Sequence, residues 1–513
     1  MCAVTPRSGS NWKNWVGACW SSGLASWTIT ASRSRQLQSA KTPRRKTGMA
    51  RADDADKWLS EINLAAVFAM LRDNGATEVL YKVLPKNANS KNQVYLTKDL
   101  SQLGKIPSGE VTAHVSISEK SGRQEAVFRS ALDFYWLDEN GQPQHAPKAQ
   151  LIFYPQYPEV RFSGFLQGCK SPPTTLWVKE KRGEVPDRIL VLGLGNGTRV
   201  FGITLSPESP AAKEIRAGEP HDAYGVFNIL PMPGQDTGDG FLDLMAELCR
   251  IHRRGWVPST RLDRYGRLVP CNASNCNGNT LESLLGIQSN GYSLPDFRGW
   301  EVKARQVPNA DKPGSSIVTL FTPEPTAGHY GERGVADFIH RYGYADTRGR
   351  EDRLNFGGIY KIGRLAHNRT GLRLMLDGFN AETRKYASAG AIQLLDKKDN
   401  VAASWPFAKL LDHWKTKHAH AAFVPSQASK VGERQYRFGR GILLGEGAEF
   451  SRFLHAVSEG KVYYDPGIKL EGISTGKPKT KARSQFRVKS LDLPSLYEAS
   501  RVVDACEEAA CRR

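Results

Sequence analysis

The sequence predicts an α/β protein. A mixed sheet flanked by helices fills its second half, and a strand-rich α+β domain precedes it. Three observations predict this. Short runs of alternating apolar and polar residues, separated by Gly, Pro and Asn, dominate residues 79–205. A stretch rich in Pro, Gly, Asp and Glu, residues 208–240, reads as a linker between the halves. Beyond it, helix-period and strand-period segments alternate to the C-terminus.

Composition sets the bounds. The chain has 513 residues, with 40% hydrophobic and 24% charged residues, which are globular values. No run of eighteen apolar residues exists, which argues against a membrane span. Eight cysteines are sparse for so long a chain, which fits free thiols in a reducing cytoplasm. The net charge of +19 is unevenly spread: +8 in residues 1–50, −2 in 51–240 and +13 in 241–513. A basic second half points to a polyanionic partner. Residues 1–48 lack acids and read as a disordered or non-native extension, with Met49 as the preferred start; a targeting segment is the alternative.

In order, Asp56 to Leu71 has helical apolar spacing. Strand patterns follow at Glu78–Val83, Gln93–Leu96, Val111–Ile117, Leu151–Phe153, Thr175–Val178 and Ile189–Leu194. Gly193 to Gly197 resembles a phosphate loop only superficially. The next segment, Thr198–Leu205, is another strand, so Asn196-Gly197 reads as a hairpin turn. Phe241–His252 is a helix, and Thr280–Gly286 a short one with Thr280 near its cap. Ser315–Phe321 reads as a strand of the catalytic sheet, and Leu372–Leu376 and Ala391–Leu395 as further strands. Trp405–His420 is a basic helix, Arg452–Ser458 a short one, and Leu493–Arg513 a helical end.

The chemistry concentrates in residues 279–306. Pro295-Asp296 is followed by a tight turn and the strand pattern Trp300-Glu301-Val302-Lys303-Ala304. Glu301 and Lys303 are two apart and share a face, while Trp300 and Val302 face the core. Asp296 can fold back beside Glu301. Two carboxylates suit Mg²⁺, which takes acidic groups, waters and phosphate oxygens. Lys303 can orient or deprotonate a water or stabilise developing negative charge. By itself the spacing also fits a surface turn before an ordinary strand.

The wider stretch, from Asn279-Thr280-Leu281-Glu282 through Pro295-Asp296-Phe297 to Glu301-Val302-Lys303, resembles the MvaI/BcnI family of type II restriction endonucleases. That family lies within the PD-(D/E)xK nucleases. Tyr342-Gly343-Tyr344, Arg353-Leu354-Asn355-Phe356, Tyr463 to Gly467 and Arg483 to Arg487 are similar too, so the resemblance spans about residues 241–513. It implies a restriction-endonuclease-like fold. It implies Asp296, Glu301 and the main-chain carbonyl of Val302 as ligands of Mg²⁺, Lys303 as the catalytic lysine, and Glu282 as a further metal contact. It also implies a monomer that hydrolyses double-stranded DNA at a short specific site, with a DNA methyltransferase as genetic partner. Basic residues near aromatic ones suggest DNA contacts at Arg348, Arg350, Arg353, Lys361, Arg364, Arg483 and Arg487.

Other readings stay open. Cys249, His252, Cys271 and Cys276 are a possible Zn²⁺ set, and His413, His418 and His420 a possible helical cluster. A nicking or repair nuclease without site specificity and a catalytically silent DNA-binding protein are the functional alternatives. Residues 49–207 carry no motif that assigns their role.

Overall fold

The computed structural model describes residues 56–510, apart from 89–90, 118–123, 196, 219–222, 225, 234–239, 274, 288–295, 313, 418–419 and 430. The expectations for residues 1–48, Met49, Pro295 and His418 lie outside the described residues. Ala52–Arg513 is one compact unit.

Its first half holds two sheets. A seven-stranded sheet contains Ala76–Leu84, Arg188–Gly195 and Arg199–Leu205, and a five-stranded sheet contains Val94–Thr97, Thr112–Ile117 and Glu159–Ser163. Arg188–Gly195 and Arg199–Leu205 pair antiparallel, as the hairpin reading requires. Two local readings differ. The helix expected over 56–71 breaks at Ile62, because Asn63 caps a new helix, Leu64–Asp73, by accepting from the Ala66 amide. Thr175–Val178 is not a strand; Thr174–Trp177 is helical, and Asp56 accepts from both the amide and the hydroxyl of Thr175. Preceding prolines and a remote carboxylate outweigh the β preference of threonine.

Part of the stretch read as linker is regular structure. Ser209 caps the helix Pro210–Ala217, and Phe227–Ile229 pairs with Ala76–Leu84. Proline at the first turn here starts a helix rather than interrupting one.

In the second half the strand His420–Ala428 organises the sheet. One edge carries Glu301–Gln306 in parallel register, Glu301 opposite Ala421. The other carries Gly441–Glu446 and Gln435–Phe438, with Ala499–Asp504 beyond. Helices Gly240–Arg253, Cys276–Leu284 and Ala505–Ala510 supply apolar side chains to one core with Trp300 and Val302. Three expectations change here. Ile317–Phe321 pairs with Phe486–Lys489 in a separate sheet, not with the sheet that holds Glu301–Gln306. The basic helix is Phe407–Lys417, and His420 begins the central strand instead. The C-terminal stretch includes the strand Ala499–Asp504 before its helix. Strand pairing is a long-range property, which local periodicity does not encode.

A single apolar cluster runs from Leu80 to Tyr497 and takes side chains from both halves. Phe128 and Phe153 pack on Tyr386, with ring centroids 6.0 and 6.1 Å away. Asp99, fully buried, ties the halves together. It accepts from the Ser101 amide at 2.9 Å and from the Phe450 amide at 3.2 Å, at the start of the helix Phe450–Ser458, which has no side-chain cap of its own. Burial is the main reason its pKa rises to about 6; the charge of Glu449 adds to it, and the hydrogen bonds of Ser101 and Phe450 oppose it.

The cysteine expectation also changes. Cys249 pairs with Cys506 and Cys271 with Cys276, so the set of Cys249, His252, Cys271 and Cys276 does not converge on Zn²⁺. His252 Nδ1 instead meets the Phe438 carbonyl at 2.8 Å. Cys506 lies 257 residues from Cys249, beyond the reach of any spacing rule. Among the described residues no helix is long and apolar enough to cross a membrane.

Two outcomes follow from the shared core and the buried carboxylate. Urea unfolding of residues 52–513, followed by near- and far-ultraviolet circular dichroism, is expected to give one superimposable transition; two separated transitions would refute a shared core. A raised pKa means that the folded state holds the Asp99 proton better than the unfolded state does. That contribution is full below pH 3.8 and fades as pH rises through about 6. Wild type should therefore lose up to about 3 kcal/mol relative to Asp99→Asn between pH 4 and pH 7, read from urea midpoints at both values.

Candidate active site

The site is built on a two-residue hairpin. Phe297 and Trp300 exchange backbone hydrogen bonds of 2.9 and 2.8 Å, and Arg298 and Gly299 between them have φ of 41° and 91°. Both central residues are left-handed, which is the turn that matches the twist of paired strands. Glycine takes this conformation freely; Arg298 takes it at a cost, and its guanidinium is anchored by Asp243 on the Gly240–Arg253 helix. The hairpin returns Asp296 to the start of the strand, where its Oδ2 accepts from the Val302 amide at 3.0 Å.

Asp296, Glu301 and Lys303 thus come together. Glu301 is buried, with 4% exposure, although it is charged. Its Oε1 accepts from Lys303 Nζ at 2.7 Å, and its Oε2 is buried with no hydrogen-bond partner among the described residues. Burial first, and then the charge of Glu301, push Asp296 up to about 7; the Val302 amide and Lys303 act the other way. Glu282 on the Cys276–Leu284 helix adds a smaller repulsion. Three carboxylates therefore face one ammonium. A buried carboxylate oxygen without a donor is costly, and a divalent cation would satisfy it. The donor set of hard oxygens fits Mg²⁺.

The Cys276–Leu284 helix starts earlier than the sequence suggests. Thr280 lies inside it, buried, and its hydroxyl donates to the Thr260 carbonyl at 3.1 Å rather than capping the helix. Gly286, with φ 72°, closes the helix as expected, and the Ile287 amide donates to Glu282 O at 2.9 Å.

Residues that the motif did not indicate surround the site. His420 packs edge-on against Trp300, with ring centroids 5.3 Å apart; burial lowers its pKa to about 4, and the nearby charge of Lys105 adds to this. Tyr497 feels the charge of Glu301 and lies over Gly445, where a Cβ would meet its ring at 2.6 Å. Lys105, from the first half, pairs with Glu78, and its Cε lies 3.1 Å from where a Cβ on Gly299 would stand. Local spacing could reveal none of these, because each arrives on a remote segment.

The basic residues are distributed unevenly. Arg348, Arg350, Arg364 and Arg483 are exposed. Lys361 stacks on Tyr463, with Nζ 4.9 Å from the ring centroid, and feels the like charges of Lys489 and Arg364. Arg353 is held by Asp346 and Glu471, and Arg487 by Asp465 at 2.6 Å. Arg353 therefore braces the strand Arg353–Gly357, while Arg364 and Lys489 lie near Lys361.

A sequence profile of the MvaI/BcnI restriction endonuclease family matches residues 245–497. No curated protein matches the chain. Among solved structures, a complex of restriction endonuclease MvaI with cognate DNA is similar at 19% identity and a TM-score of 0.39, covering 53% of this chain and 100% of that one. MvaI in the absence of DNA is similar at 18% identity and a TM-score of 0.30, covering 52% and 100%. Residues 245–497 thus match the MvaI/BcnI restriction endonuclease family, and the chain is a DNA endonuclease.

Proposed function

We propose that this endonuclease is a Mg²⁺-dependent restriction enzyme whose catalytic centre is Asp296, Glu301 and Lys303. The observation that carries the reading is the buried, unpartnered Oε2 of Glu301 beside the half-buried Asp296. Both carboxylates and the Val302 carbonyl would hold the metal, with Glu282 supporting them. When bound, Mg²⁺ would lower the pKa of a water and neutralise charge on the scissile phosphate. Lys303, kept close by Glu301, would orient the attacking water and stabilise the charge that develops on phosphorus oxygens. The Trp300 and Val302 side chains, packed in the core, keep the strand from shifting under the repulsion of its carboxylates.

In this reading the substrate is double-stranded DNA cut at a short specific site by a monomer, and a methyltransferase protects the host DNA. Exposed Arg348, Arg364 and Arg483, with Lys361, would contact phosphates or base edges. The enzyme would work in the cytoplasm. Residues 49–240 would act in target choice or in binding DNA or a partner.

Incubation of the 49–513 protein with supercoiled plasmid tests the centre. Discrete fragments are expected only with Mg²⁺. Asp296→Asn, Glu301→Gln and Lys303→Met should each slow cleavage about 10³-fold or more. Glu282→Gln should slow it about tenfold, as for groups that support metal ligands. Open circles as the only product would favour a nicking enzyme, and unspecific degradation a repair nuclease.

Arg348→Ala, Arg364→Ala and Arg483→Ala should each weaken DNA binding and reduce the slope of log affinity against log salt by about one. Fluorescence anisotropy with a labelled duplex in Ca²⁺ measures this; unchanged slopes would remove these residues from the interface.

A further inference from the structure

A cleft of about 390 Å³ opens in the first half, lined by the strands Ala76–Leu84 and Arg188–Gly195 of one sheet and by Val94–Thr97 and Glu159–Ser163 of the other. Six cationic side chains line it, Lys82, Lys86, Lys91, Arg161, Arg182 and Arg188, against one lining carboxylate, Glu159. Glu159 is already engaged, accepting from Arg161 at 2.7 and 2.9 Å, and Lys86 pairs at its edge with Glu184 at 2.8 Å. The cleft keeps a positive excess although residues 51–240 as a whole carry a net charge of −2. The cleft is therefore more basic than the half that carries it.

Two of these cations are held in an unusual way. Arg188 is 2% exposed and stacks on Trp177, and its guanidinium donates to the Leu176 and Val185 carbonyls, with no carboxylate partner among the described residues. Burial and the neighbouring charge of Arg182 bring its pKa down to about 10. Lys82 is half-buried on the strand Ala76–Leu84, and its pKa is lowered by burial. Buried cations without a counter-charge are costly, so a fold that keeps them at the wall of an open cleft is poised for an anion. Next to them, Asn92 Oδ1 is buried with no hydrogen-bond partner among the described residues. An anion alone would not satisfy that oxygen; a sugar hydroxyl or a base amine would. Tyr95, 44% exposed at the same cleft, offers a ring face to a base.

We propose that this cleft binds a nucleotide, its phosphate on Lys82 and Arg188 and its sugar or base on Asn92 and Tyr95. The volume suits one nucleotide unit. Its source is either a strand of DNA threaded over the first half or a free nucleotide, and the chemistry of recognition is the same. The inference does not depend on Asp296, Glu301 and Lys303 cutting DNA, because those residues are not part of the cleft.

The test uses the full chain carrying Glu301→Gln, so that DNA survives the measurement. Binding is followed by titration calorimetry with thymidine 5′-monophosphate, inorganic pyrophosphate and a fluorescein-labelled single-stranded hexamer. Lys82→Gln with Lys91→Gln is compared with the unaltered cleft, and circular dichroism with thermal melting confirms that both fold. Asn92→Ala is the second variant, because it leaves the charge unchanged. A loss of tenfold or more in affinity for the hexamer or the monophosphate in both variants supports the proposal. Preference for the hexamer would name DNA as the source, and equal binding of the monophosphate a free nucleotide. Pyrophosphate binding that survives Asn92→Ala, with no binding of either nucleotide probe, would overturn it. Equal affinity of all variants, or no binding of any probe at millimolar concentration, would overturn it as well.

Discussion

Two carboxylates of like charge stand side by side at the start of one strand, and the second half of the molecule is arranged to keep them there. Asp296 and Glu301 repel each other in a half-buried setting, where that repulsion is poorly screened. The restraints come from several directions. The left-handed turn at Arg298-Gly299 sets their separation along the chain, Asp243 pins the turn, and the Val302 amide holds one carboxylate. Lys303 holds the other, and parallel pairing with His420–Ala428 fixes the strand itself. Such a site is unfavourable to the protein by itself, a common condition of functional sites.

The first half is more than an appendage to this arrangement. Asp99 caps a helix of the second half, Ser101 reaches the Ala448 carbonyl, and Lys105 stands against the turn that bears Asp296. The Lys415 ammonium returns the contact by donating to Ser108 and Gly109. The strand Ala76–Leu84 runs from Glu78, the partner of Lys105, to Lys82 and Leu84 in the basic cleft, so the two regions share one rigid element.

What could be read from the sequence divides by distance along the chain. Asp296, Glu301 and Lys303 were visible because a hairpin brings together residues that are already neighbours. Most strands were visible for the same reason: alternation is local, as at Glu78–Val83 or Ile189–Leu194. His420, Tyr497 and Lys105 were not, since pairing and packing bring them in from remote segments. Thr175 misled because its β-branched side chain suggested a strand, while two prolines and Asp56 decided for a helix. The basic residues show the limit of composition. Charge pointed to Arg353 and Arg487 as readily as to Arg483, yet the first two spend their charge on carboxylates of the fold.

The link between Cys249 and Cys506, when formed, joins the helix that opens the second half to the helix near its end. Covalently, the catalytic half is then a ring with the first half attached as a tail. A single backbone break between Cys249 and Cys506 would open a loop without releasing a fragment. The sheet, the hairpin and the basic surface would stay tethered as one piece, and only a break together with reduction would part them.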